Sequence, residues 1–167
     1  LLERADQAAA EMQLHPLDLD TLFLEVFHQA RRLAGSERTV TLGHEDAATV
    51  KGDRDRLKQL LLNLAQNALS HTPPGTRVTI SLYRDAQWAR LVVADDGPGM
   101  PAEQLRHIFD RFYRVDKART REVGGAGLGL SICMEIAEAH GGSIEAQSAP
   151  GAGSTFTATL PLAPSGA

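Results

Sequence analysis

The sequence predicts an α+β fold, a two-layer α/β sandwich. A mixed, mainly antiparallel sheet of about five or more strands is covered by three helices. Three observations predict it. Apolar residues recur at helical spacing in three substantial segments. Six short stretches rich in apolar and β-branched residues lie between them. Short turns join three pairs of these stretches, which favours hairpins over an all-parallel sheet.

Taken in order, Leu1 to Met12 is polar and Ala-rich and reads as the end of a helix or linker. Pro16 to Asp20 introduces a helix in which Leu19, Leu22, Val26, Ala30 and Leu33 form one face. Asp20 or Thr21 can cap its start, and Gly35-Ser36 ends it. Val40 to Leu42 and Ala48 to Lys51 read as short strands around a polar turn at His44-Glu45-Asp46. Asp53 is the N-cap of a long helix whose apolar face is Leu57, Leu60, Leu61, Leu64 and Ala68. Asp55 suits the positive end of its dipole, and Pro73-Pro74-Gly75 stops it. Val78 to Tyr83 and Ala89 to Ala94 form a hairpin turning at Asp85-Ala86-Gln87. A loop and short helix fill Asp95 to Phe112, and the basic, Gly-ended stretch Tyr113 to Gly125 is expected to be mobile. Leu128 to His140 is a helix closed by Gly141-Gly142. Ser143 to Ser148 and Ser154 to Pro161 are the last strands, turning at Pro150-Gly151. Ala163 to Ala167 is expected to be a disordered tail.

The bulk numbers suit one domain. There are 167 residues, 43% of them hydrophobic, with a net charge of −4. A weakly acidic chain gives no support for nucleic acid as partner, although Arg111, Arg114, Lys117, Arg119 and Arg121 crowd one stretch suited to an anion. The single Cys133 cannot form an internal disulfide and indicates a reducing compartment. No run reaches the roughly 18 apolar residues that span a membrane. The opening Leu1-Leu2-Glu3-Arg4 lacks Met and a signal peptide, so the chain reads as part of something longer.

Four places carry chemistry. Asn63 and Asn67, four residues apart, share a helical face that Ser70 and His71 continue. Asn is a poor helix-interior residue, and burying a carboxamide unpartnered costs on the order of 1–3 kcal/mol. Something should therefore meet these groups: either nearby backbone, or a hard cation such as Mg²⁺, which takes few protein oxygens and keeps phosphate oxygens and waters. Asp95-Asp96-Gly97-Pro98-Gly99-Met100 follows a strand. It is turn chemistry on any reading. It also offers a carboxylate for the amine of adenine, glycines for close approach to a flat ring, and Met100 to pack on it. Gly124-Gly125-Ala126-Gly127-Leu128-Gly129 runs into a helix. It is either a hinge or a phosphate cradle of backbone N–H groups. It is neither a P-loop nor a dinucleotide fingerprint. Ile108-Phe109-Asp110-Arg111-Phe112-Tyr113-Arg114 sets aromatics beside charges, either as core or as an anchor for a loop or partner.

Together and in this order, these stretches resemble the N, G1, F and G2 boxes of sensor histidine kinases, within the wider superfamily of gyrase, Hsp90, MutL and histidine-kinase ATPases. Matching text runs from Asp53-Arg54-Asp55-Arg56-Leu57 through Asn63-Leu64-Ala65-Gln66-Asn67-Ala68 and Asp95-Asp96-Gly97-Pro98-Gly99 to the aromatic and glycine stretches. His140-Gly141-Gly142-Ser143-Ile144 and Gly151-Ala152-Gly153-Ser154-Thr155-Phe156 complete it. The resemblance implies a Bergerat-type ATP-binding fold with ATP and Mg²⁺ as cofactors. It implies that Asn67 holds the metal, with Asn63 one turn earlier beside metal and phosphates. Asp95 would bond the adenine amine, Gly97, Gly99 and Met100 would shape the base pocket, and Thr155 would lie beneath it. Gly125, Gly127, Leu128 and Gly129 would face the phosphates, and Arg114 and Lys117 would reach the triphosphate. Asn63 and Arg114 are the implied catalytic residues. Phe109 and Phe112 would link this region to the kinase body and the phosphoacceptor domain.

Two departures stand out. Many relatives carry Lys or Arg where Ser70 stands, so His71 is the candidate to meet that phosphate charge. Relatives often have Asn in place of Asp96, whose carboxylate is silent if it faces water. Hydrolysing relatives place Glu at the position of Asn63, and Asn63 cannot act as a general base. That favours transfer of the γ-phosphoryl group to an outside nucleophile over hydrolysis.

The resemblance further implies that residues 1–15 end a dimerisation and phosphoacceptor helix or linker, 16–162 form the catalytic ATP-binding domain and 163–167 the tail. The acceptor motif, His followed by an acid and Leu-Arg-Thr-Pro, is absent. The implied function is transfer from Mg-ATP to a histidine on a separate domain of a two-component sensor kinase, with a response regulator downstream. The fragment is expected to be monomeric and cytoplasmic, its parent a homodimer anchored in the bacterial inner membrane. The alternatives are an ATP hydrolase, a protein-serine kinase, or a nucleotide-sensing module without transfer.

Overall fold

The computed structural model describes residues 12–111 and 129–164. The expectations for the helix remnant before Met12, the basic stretch and glycine run between Phe112 and Leu128, and the last residues of the tail fall outside them.

In chain order the elements are β1 (His15–Asp18), α1 (Leu19–Ala34), β2 (Thr39–Glu45), β3 (Thr49–Gly52), α2 (Arg54–Ser70), β4 (Arg77–Arg84) and β5 (Trp88–Asp95). There follow α3 (Ala102–Leu105), α4 (Gly129–Ala139), β6 (Ser143–Ser148) and β7 (Ser154–Pro161). The main sheet is five-stranded, in the order β2-β4-β5-β7-β6. Its β2–β4 pair is parallel and the other three pairs are antiparallel. The sheet is therefore mixed and mainly antiparallel, as expected.

Strand alternation creates the core. Val78, Ile80, Leu82, Leu91, Val93, Phe156, Ala158 and Leu160 face inward and are buried. They meet Leu22, Phe23 and Val26 of α1, Leu57, Leu60, Leu61 and Leu64 of α2, and Cys133, Ile136 and Ala137 of α4.

Three local readings change. Pro16 to Asp18 is not a helical lead-in: it is strand, and β1 pairs antiparallel with β3. The helix begins at Leu19 after Asp18, so neither Asp20 nor Thr21 caps it. Asp20 Oδ1 instead faces the backbone N–H of Ala48 at 3.4 Å. His44 and Glu45 belong to β2 itself, and the strands flanking them do not pair, because β2 joins β4 while β3 joins β1.

The ends of α2 and α4 form as their sequences require. Asp53 Oδ1 accepts from the N–H groups of Asp55 and Arg56 at 3.1 and 3.2 Å, satisfying donors that the first helical turn leaves open. At the end of α4, Gly142 N donates to Ala137 O and Gly141 N to Glu138 O, with Gly141 at φ +81°. That is a Schellman closure, and it explains the paired glycines. His140 then joins the two helices. Its Nδ1 donates to Ile136 O at 2.8 Å, and its Nε2 accepts from Asp53 N at 3.0 Å.

Candidate functional site

Asn63 and Asn67 lie half-buried on α2, which packs against α4. The Asn63 carboxamide meets Cys133 of α4. Burial pushes the Cys133 thiol up to about 12, and the hydrogen bond from Asn63 opposes that rise. The thiol proton points to Leu60 O at 3.5 Å.

For Asn67 the backbone oxygen is engaged, by His71 N at 3.1 Å and His71 Nδ1 at 2.9 Å. Among the described residues no hydrogen bond is seen to its carboxamide. A free carboxamide oxygen fits a hard cation. No group of three or more His, Cys, Asp or Glu among the described residues could hold a metal ion, so any cation here must take most of its ligands from a bound anion and water. Ser70 Oγ donates to Gln66 O at 2.6 Å. Its one proton is spent on the helix, and only lone pairs remain to face an anion. His71 is exposed, and among the described residues no hydrogen bond to its Nε2 is seen.

Beyond the end of α2 stands the second half of the site. Asp95, the last residue of β5, accepts from Gly97 N at 2.9 Å. Burial raises its pKa, against the N–H groups of Gly97 and Ser154, and neighbouring Asp96 adds to the rise. It is a half-buried carboxylate without a cationic partner among these causes, a group that a neutral donor such as an amine would serve. A Cβ on Gly97 would lie 2.9 Å from the Thr72 methyl and 3.0 Å from Asp95 Oδ1. Glycine therefore keeps open the space between α2's end and the carboxylate. Thr72 is held there by its Oγ1 bond to Ala68 O at 2.7 Å.

Gly99 has φ +70°, and a Cβ there would come within 2.0 Å of Ala149 O. The loop thus lies directly on the β6–β7 turn. Gly151 N bonds Pro98 O at 2.7 Å, and Met100 N bonds Ser148 Oγ at 2.9 Å. Ser148 Oγ gives its proton to Gly153 O, so Ser154 Oγ donates to it across 2.8 Å. Met100 packs against the core.

Thr155 does not join this cluster. Ser154 and Phe156 are buried on the inner side of β7, and strand alternation turns Thr155 to the other face, opposite Ala94 and Gln147. Ser154 is the residue beside Asp95, and Ser148 is a second one the sequence reading missed. Hairpin register pairs Ser148 with Ser154, so counting outward from the Pro150-Gly151 turn would have found both. Asp96 also turns away, its Oδ1 accepting from Arg77 N at 2.8 Å. Gly129 opens α4, and a Cβ built on it would meet nothing within 4 Å among the described residues. Arg114, Lys117, Gly125, Gly127 and Leu128 lie outside the described residues.

The site thus combines an amide pair on a helix, a half-buried carboxylate at a strand end, and glycines against a hairpin turn. Residues 52–164 match the family described as histidine kinase-, DNA gyrase B-, and HSP90-like ATPase. The structure is similar to the mycobacterial sensor histidine kinase MprB, with TM-score 0.75 and 33% identity, covering 90% of this chain and 99% of that one.

The chain belongs to the histidine-kinase group of this ATPase family.

The Escherichia coli (strain K12) signal transduction histidine-protein kinase BaeS is 43% identical over 163 residues, which is 96% of this chain and 35% of BaeS. The chain therefore spans about a third of that relative. Full-length ShkA, solved in complex with AMPPNP, superposes with TM-score 0.77 at 29% identity over 99% of this chain and 34% of ShkA. Among the described residues no helix is long and apolar enough to cross a membrane.

Proposed function

We propose that this histidine-kinase ATPase domain binds Mg-ATP and transfers its γ-phosphoryl group to a histidine on a separate dimerisation and phosphoacceptor domain of its parent kinase. A response regulator would be the next acceptor. The parent would be a dimer anchored in the inner membrane, with this domain in the cytoplasm.

The observation that carries the reading is Asn63. It stands one turn before Asn67 and carries no carboxylate. With no general base at that position, water is not activated, and the phosphoryl group is kept for an external nucleophile.

The parts divide the work. Asp95 accepts the exocyclic amine of adenine in the space that Gly97 keeps clear. Gly99 and Met100 form the loop edge on the Ser148–Ser154 pair. Asn67 supplies a carboxamide oxygen to Mg²⁺, and Asn63 its carboxamide to the water or phosphate shell. Mg²⁺ bound there offsets triphosphate charge. Gly129 and the N–H groups opening α4 face the phosphates. Gly125, Gly127 and Leu128 are assigned to that cradle, and Arg114 and Lys117 to the triphosphate, on the resemblance alone. His71 is the polar group at the end of the amide stripe. Ser70, with its proton committed to Gln66 O, is the weakest member of the set. Thr155 has no role in the pocket, and Ser154 takes its place beside Asp95.

In the reaction an imidazole nitrogen of the acceptor bonds to the γ-phosphorus as the bond to the bridging oxygen breaks. ADP leaves with that electron pair, and the imidazole proton passes to a base outside this chain. The test is incubation with labelled ATP, alone and with the parent's phosphoacceptor domain. Acid-labile, alkali-stable label on the partner supports the reading. Steady hydrolysis without a partner contradicts it.

A further inference from the structure

Arg38 lies between α1 and β2, and no motif in the sequence marks it. Its side chain is nevertheless 16% exposed. Nε donates to the backbone oxygen of Thr72 at 3.0 Å, and Nη2 donates to the same oxygen. The exposed Glu37 carboxylate is its ion-pair partner, 3.5 Å from Nη1. A largely covered guanidinium thus spends two N–H groups on one carbonyl just beyond α2.

That carbonyl calls for a donor from elsewhere. Thr72 follows the C-cap residue of α2, at the end where the helix dipole places negative charge. α2 has no basic residue in its last turn. The next two residues are Pro73 and Pro74, which have no N–H to offer. Arg38 supplies donors and positive charge from another part of the chain. Two backbone bonds hold the same junction, Gly75 N to Glu37 O at 2.7 Å and Thr39 N to Thr76 O at 3.1 Å.

Thr72 in turn backs the adenine end of the site. It is buried, and its Oγ1 bond to Ala68 O fixes its rotamer. A Cβ added to Gly97 would stand 2.9 Å from the Thr72 methyl and 3.0 Å from Asp95 Oδ1. The methyl and the carboxylate therefore bracket Gly97, whose N–H donates to that same Oδ1 at 2.9 Å. Where Thr72 sits limits where Gly97 can sit, and Gly97 holds the carboxylate.

We propose that Arg38 is a positioning residue for adenine selectivity. By fixing Thr72 O it keeps the Thr72 methyl behind Gly97, and so keeps the Asp95 carboxylate aimed at the base, without touching the nucleotide itself. The inference rests on the assignment of Asp95 to the adenine amine and adds a residue to it. Arginine suits the task because its planar fork can place two N–H groups on one oxygen, whereas an ammonium is a point charge on a flexible stem.

Arg38→Ala, Arg38→Lys and Thr72→Ser are made in this chain, alone and with Asp95→Ala. Thr72→Ser keeps the hydroxyl and the backbone oxygen and removes only the methyl that faces Gly97. Folding is checked by thermal melting, and Mg-ATP and Mg-GTP affinities are measured by calorimetry. The parent should prefer ATP, because guanine offers a carbonyl oxygen and not an amine at that edge. Arg38→Ala and Thr72→Ser should each cut the preference about fivefold or more, with GTP affinity changed less than about twofold. Arg38→Lys should fall between Arg38→Ala and the parent. In the Asp95→Ala background, Arg38→Ala should lower ATP affinity less than about twofold further, because it acts through that carboxylate.

A role in stability alone would lower the melting temperature and leave the preference intact. A folded Arg38→Ala with the parent's preference would overturn the proposal, as would full additivity with Asp95→Ala. Should Arg38→Ala not fold, Thr72→Ser decides, and a parent-like preference there overturns it. A parent that binds ATP and GTP alike, or an Asp95→Ala variant that keeps the preference, is a different result: it removes the adenine assignment of Asp95, and the role of Arg38 with it.

Discussion

Asn67 and Asp95 carry separable parts of nucleotide recognition. Asn67→Ala removes an amide oxygen with no protein partner seen among the described residues. Calorimetry should show Mg-ATP binding greatly weakened and its magnesium dependence reduced; unchanged affinity in both senses would remove the metal assignment. Asp95 behaves differently because burial raises its pKa. A carboxyl group whose folded pKa lies above its unfolded value costs stability at pH above the folded pKa, and that cost disappears below the unfolded pKa. Asp95→Asn should therefore melt no lower than the parent at neutral pH, with any gain fading as pH falls toward about 4 and absent below it. Asp95→Ala should lose ATP affinity and adenine selectivity. If it binds ATP as well as the parent does, Asp95 is only a turn residue. Both positions were legible from residue type and spacing. Ser154 was not, because the deciding fact is strand parity: its neighbour Thr155 has similar chemistry and faces the opposite way.

At the level of elements, the helix signals were the more readable. Asp53 caps α2, and Gly141-Gly142 closes α4, since both signals are local to the chain. β1 was not readable. His15-Pro16-Leu17-Asp18 has no apolar alternation, and it becomes a strand only because β3 lies alongside it. The parallel β2–β4 pair was hidden for the same reason, since its partners are separated by β3 and α2. The Asp53 cap carries a prediction of its own. Burial works to raise its pKa, yet the N–H groups of Gln13, Arg56 and Asp55 hold it below the usual aspartate value. A carboxylate with a lowered folded pKa adds stability that is present above the unfolded value and is lost as pH falls through the folded one. Asp53→Ala should cost about 1–2 kcal/mol at neutral pH by denaturant unfolding. The gap between parent and variant should narrow below about pH 4. A constant gap down to pH 2 would mean the cost is packing and not the carboxylate.

For the molecule as a whole, the sheet supplies a rigid floor, and α2 and α4 stand on it joined at one end by His140 and Asp53. That joint, the Asn63–Cys133 contact and the Ser148–Ser154 pair hold the groups assigned to metal and adenine on fixed elements. The groups assigned to the γ-phosphate belong to the chain between Arg111 and Gly129. The decisive measurement is the fate of the γ-phosphoryl group when this chain is mixed with labelled ATP and its parent's separately prepared phosphoacceptor domain. The label should appear on that partner as acid-labile, alkali-stable phosphohistidine, slowly because the covalent link that raises effective concentration is missing, and not on the chain alone. Robust self-labelling of the chain would mean that it carries an acceptor of its own, and rapid steady release of phosphate without any partner would contradict the role given to Asn63.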